Sequence, residues 1–194
     1  MASGARGRGF LPREHGFWVM LLAALSTAVG RHVSQPAAWA GACGVLLAAS
    51  VAGGLVRHRV RREASAQVAS AALLGCVGIP VELAAGAALA QAAPPAAAWV
   101  TIFVANTLVV RAAFERAARR AKRASLLDAA AVTACGSAAA AFLLAGARSE
   151  ALATALAALV SIFVVREQPN VKQLKRVGVA LATLSAAAGV LLVV

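Results

Sequence analysis

Apolar stretches of about 17 to 25 residues recur from one end of this chain to the other, and that is the length a helix rising about 1.5 Å per residue needs to cross roughly 30 Å of hydrocarbon. The first begins in "LPREHGFWVM", residues 11 to 20, and the last ends at Val194. Of the 194 residues, 61% are hydrophobic and only 13% charged, against about 25% charged in soluble domains. There is too little polar surface to coat a water-soluble fold. In lipid every backbone N–H and C=O must be satisfied within its own segment, so runs of this length rich in Ala and Leu predict helices rather than strands. The expected fold class is all-α, a polytopic transmembrane helix bundle of about seven spans. They fall near 14–31, 37–56, 64–91, 96–113, 125–146, 151–165 and 177–194. Residues 1–13, opening "MASGARGRG", read as a disordered basic cytoplasmic tail, and 14–194 as a single transmembrane domain. Phe17 to Ala28 has the length of a signal-peptide core, but Glu14 and His15 interrupt the basic region before it and further spans follow.

Nineteen Lys and Arg face seven Asp and Glu, a net charge of +12. In a soluble protein that excess would suggest nucleic acid; here the basic residues cluster between apolar runs, where they report topology. With the N-terminus cytoplasmic, seventeen of the nineteen lie inside, leaving Arg31 and Arg148 outside. Dividing residues 64–91 at Pro80 into two short spans would leave only eight inside, so one long, broken span is expected. The protein should reside in the cell membrane, the bilayer its main partner, with anionic lipid headgroups at the cytoplasmic face and no nucleic acid. Trp39 and Trp99 open spans on the outer side and Trp18 on the inner side, as interfacial rings do. Segments such as "GACG" at 41–44 and "CGSAAAA" at 135–141 let helices approach closely, and Cys43, Cys76 and Cys135 lie in apolar runs without ligand-like spacing.

Seven carboxylates remain to be placed. Glu82, in "GCVGIPVELAAG", is the one deep in a span; a buried carboxylate must be protonated, paired or facing a polar cavity. If the chain turns at "APP", residues 93–95, Glu82 and Asn106 reach similar depth and face one another. Glu115 can pair with Arg111 and Arg119 at four-residue spacing, and Asp128 opens the fifth span, where a carboxylate favours a helix N-terminus. Glu14 can serve as a helix start after Pro12, but the dipole asks for neither His15 nor Gly16. The candidate binding residues are therefore Glu14, His15, Gly16, Trp18, Glu82, Asn106 and Arg111. No catalytic residue, cofactor or metal site is expected: no nucleophile–base pair, zinc spacing or phosphate-binding Gly loop is present, and His32 and His58 sit in basic loops.

Pro12, Arg13, Glu14, His15, Gly16 and Trp18 resemble the N-terminal signature of the YwiC-like bacterial integral membrane proteins, with Phe17 where a small residue is usual. "KRVG", Lys175 to Gly178, is similar to that family's entry to a C-terminal helix. The resemblance implies an inner-membrane protein and no defined chemistry. The helix and loop order is more distantly similar to that of UbiA-type prenyltransferases, which hold magnesium and pyrophosphate with Asp-rich loops. The corresponding loops here, "RHRVRREAS" and "REQPNVKQLKR", are basic. The leading expectation is non-enzymatic binding or transport of a small solute or lipid. The alternatives are a membrane enzyme acting on a lipid, a degenerate UbiA-like relative included, and a structural subunit.

Overall fold

The computed structural model describes residues 15–56, 64–118, 120–167 and 173–193, and among these every regular element is helical. In chain order they are α1 (His15–Arg31), α2 (Pro36–Val56), α3 (Ala64–Gly75), α4 (Gly78–Ala84), α5 (Leu89–Ala117), α6 (Ala121–Leu144), α7 (Arg148–Glu167) and α8 (Leu174–Val193). The expected tail, residues 1–13, lies outside the described residues. Five stretches are long and apolar enough to cross a membrane: Ser65–Ala84, Leu89–Arg116, Ala121–Leu144, Arg148–Glu167 and Arg176–Val193. Two shorter apolar helices, Trp18–Arg31 and Pro36–Ala49, accompany them.

The third expected span is one long apolar stretch, Ser65–Ala84, but it is broken at Cys76–Val77 between α3 and α4 rather than at Pro80. Pro80 is the third residue of α4, where its missing N–H has no intrahelical carbonyl to lose. The turn expected at 93–95 is also displaced. The chain reverses at Gly86, whose φ of +84° is open to glycine without a Cβ clash. α5 then starts at Leu89, with the Ala88 N–H donating to the Gln91 side chain at 3.0 Å. Pro94 and Pro95 lie inside α5 and remove two N–H donors without ending it.

α5 is the axis of the bundle. It packs against α1, α3, α4, α6, α7 and α8, and its Trp99, Ile102, Phe103 and Val109 are all but fully buried. Trp99 and Phe103, one turn apart, stack with ring centroids 4.9 Å apart. Trp99 is thus a core residue, not the interfacial ring expected of it; Trp39, exposed near the start of α2, donates Nε1–H to the Val33 carbonyl at 3.0 Å. Small residues set the closest approaches. A Cβ on Gly75 of α3 would collide with the Val100 backbone of α5, and one on Gly41 of α2 would come within 3.4 Å of the Val81 backbone of α4. Gly44 and Gly136 face open space, so only part of the small-residue content serves packing. α8 closes against α1, with Gly30 beside Val193 and Gly189 beside Thr27 and Trp99.

Outside this core the bundle exposes Leu47, Leu73, Leu126, Leu144, Leu159, Phe163, Val179 and Val190. So broad an apolar exterior suits lipid and would be a liability in water. Hydroxyl groups are kept from the hydrocarbon in the same way: Thr27, Thr107, Thr154 and Ser185 donate to carbonyls four residues back in their own helices at 2.7 to 3.0 Å.

Candidate functional site

Two polar clusters stand at opposite ends of α5. The first surrounds Glu82, whose residue is 3% exposed. It lies near the C-terminal end of its span, before the reversal at Gly86, so protein rather than mid-membrane depth buries it. Its partner is Arg31, the last residue of α1, with Nη1 and Oε1 3.5 Å apart. His32 and Glu150 lie within electrostatic reach, and Ser149 donates to Glu150 at 3.0 Å. Arg31, expected from the sequence only as one of two outer arginines, is thus a counter-ion to Glu82.

Beside the pair is a cavity of about 10 Å³ lined by Ala24, Thr27 and Ala28 of α1, Gly75, Gly78 and Glu82 of the third span, and Ala92, Pro95, Ala96 and Trp99 of α5. That is room for about one water. Glu82 Oε2 and Trp99 Nε1 are buried there without a hydrogen-bond partner among the described residues. One is an acceptor and the other a donor.

Asn106 does not join this site. It is buried farther along α5, with Oδ1 unpartnered among the described residues. Eleven residues separate it from the cavity-lining Pro95, an axial distance of about 16 Å. The expected Glu82–Asn106 meeting required a turn at 93–95; with the turn at Gly86 the two residues fall at different levels.

The second cluster lies at the far end of α5, its Glu115 about 30 Å from Pro95 by helical rise. Glu115, 4% exposed, is approached by Arg111 Nε at 3.5 Å, Arg120 Nη1 at 3.5 Å and Arg123 Nε at 3.7 Å. Arg111 also donates to Gln67 of α3 at 3.4 Å. The expected Arg111–Glu115 pair is thus present, while Arg119 lies outside the described residues. Asp128 does not open its helix. α6 starts at Ala121, and Asp128, two turns in, is bound by Arg116 across the α5–α6 hairpin.

Of the N-terminal candidates, Glu14 lies outside the described residues, and His15 and Gly16 form the first turn of α1 with undescribed side chains. Trp18 is half-buried against the core. The structure therefore groups Glu82 with Arg31 and Trp99, places Arg111 in the second cluster, and leaves Asn106 alone between them. Arg31, Trp99, Glu115, Arg120 and Arg123 were missed as site residues. Their signal in the sequence was weak: a lone arginine at a span end, a tryptophan in an apolar run, and basic residues that the topology already explained.

Comparison with known protein families, with curated proteins and with solved structures finds no match to this chain.

Proposed function

We propose that this chain is a YwiC-like multi-pass protein of the cell membrane that binds or moves a small polar solute or lipid without transforming it, and that Arg31 and Glu82 latch its closed state. In this reading α1 and α2 cross the bilayer with the other five spans, since α1 has 17 residues and α2 has 21. The N-terminus is then cytoplasmic, and the Arg31–Glu82 end faces outward.

One observation carries the reading: a carboxylate 3% exposed, paired to a guanidinium on another helix, and still holding an unpartnered oxygen beside a cavity. A buried ion pair is a poor source of net stability, because desolvation offsets much of its attraction. As a contact between two helices, however, it can be made in one arrangement and broken in another. The cavity admits about one water, so any larger solute requires α1 and α4 to separate, which is the movement the pair opposes. His15 and Gly16, at the other end of α1, are proposed to line the cytoplasmic mouth with Glu14 and Trp18.

A second reading, an enzyme acting on a lipid, has in its favour that Glu115 and Asp128 are both buried carboxylates at the α5–α6 end of the bundle. Both carboxylates are engaged by guanidinium groups, which suits them to structure better than to proton transfer. Metabolite and lipid mass spectrometry on the purified protein and on Glu82→Gln is the discriminating experiment. The expected result is a species enriched with the wild type over a lipid-matched control membrane protein and lost from the variant. No enriched species in either would overturn the binding reading; an enriched species present as both substrate and product would favour the enzyme.

A further inference from the structure

We propose that Arg111, Arg120 and Arg123, gathered on Glu115, form a binding site for a phosphomonoester at the α5–α6 end of the bundle. Three guanidinium groups share one buried carboxylate, which among the described residues leaves two positive charges without a counter-charge in the cluster. Asp128 does not offset them, because it is committed to Arg116. A phosphomonoester carries about −1.5 to −2 near neutral pH, so its charge matches that excess.

Geometry points the same way. Charge-assisted N–H···O bonds run at about 2.7 to 2.9 Å, whereas all three arginines stand 3.5 to 3.7 Å from Glu115. The carboxylate gathers the guanidinium groups without saturating them. Arg111 Nε is buried and has no hydrogen-bond partner among the described residues. Arg120 and Arg123 keep side-chain exposures of 62% and 55%, so an anion arriving from the surface can reach them. Arg120 is also the N-cap of α6 and makes no side-chain cap, so the amide dipoles of a 24-residue helix add to the positive potential. Guanidinium forks suit phosphate oxygens, each offering paired donors in one plane. The site is distinct from the Glu82 cavity and does not rest on the transport reading.

Such a group can arrive as the headgroup of phosphatidic acid or as free phosphate. The test uses the full chain in phosphatidylcholine nanodiscs, with thermal unfolding followed while dioctanoyl phosphatidic acid, inorganic phosphate or dioctanoyl phosphatidylcholine is added. A saturable rise in Tm with phosphatidic acid and not with phosphatidylcholine is expected. A matching rise with inorganic phosphate identifies the free ion as sufficient, and a rise with phosphatidic acid alone identifies the lipid. In the Arg120→Gln, Arg123→Gln double variant, whose altered side chains are largely exposed, the apparent affinity should fall about tenfold or more; Arg148→Gln, which removes an exposed arginine from outside the cluster, should leave it unchanged. No rise with phosphatidic acid or with inorganic phosphate, or an undiminished rise in the double variant, overturns the proposal.

Discussion

Arg31, the last residue of α1, and Glu82, near the end of α4, meet at 3.5 Å with the carboxylate side chain 4% exposed and the guanidinium 28% exposed. The contact ties the first described helix to the interrupted span at the end where Gly86 turns the chain.

Removing one partner leaves the other charge buried. Arg31→Met should cost about 2 to 3 kcal/mol, below the roughly 3 to 5 of a fully buried pair because Arg31 is partly solvated. Arg31→Met, Glu82→Met should recover much of that loss. Equilibrium unfolding in detergent across the double-mutant cycle measures the coupling, and strictly additive effects would refute a functional pair.

Gly75→Ala sets a Cβ against the Val100 backbone, where no rotamer change can relieve it. α3 must move away from α5, at a cost of about 1 to 3 kcal/mol or more. Gly136→Ala meets open space on α6 and gains up to about 1 kcal/mol of helix propensity. Opposite shifts in Tm are expected from the same chemical change; similar shifts would contradict the close α3–α5 approach.

Across the α5–α6 hairpin, Arg116→Gln leaves Asp128 buried with no cation and should destabilise by about 2 to 4 kcal/mol. The exchange Arg116→Asp, Asp128→Arg should restore part of it. Chemical unfolding of the three proteins tests this, and an exchange no better than the single change would mean that surrounding charges, not the pair, hold these residues.

The proposed topology of seven crossings puts the α1–α2 turn outside and the α5–α6 turn inside. Alkaline phosphatase fused after Gln35 and after Val194 should be active, and fused after Arg120 inactive. An inactive fusion after Gln35 with the other two results unchanged would leave five crossings, with α1 and α2 lying on one side.

By itself the sequence determined the helices. In lipid each segment must satisfy its own backbone, so an apolar run of sufficient length dictates a helix whatever surrounds it; the elements from α5 onward follow the expected spans with shifted ends, and the stretch around Pro80 stays one broken span of two helices. The Arg111–Glu115 contact was legible because four-residue spacing is local to a helix. Only the tertiary structure decided which faces meet. In helices this uniformly apolar no polar stripe marks the buried side, so it was close approach, Gly75 on Val100 and Gly30 beside Val193, that fixed the rotation of each helix. That packing carried Trp99 into the core, gave Glu82 to Arg31 instead of Asn106, and set Asp128 against Arg116. Level mattered as much as rotation: a positive φ at Gly86, unmarked by any pattern stronger than the prolines that follow it, moved the turn and with it the height of every later residue on α5.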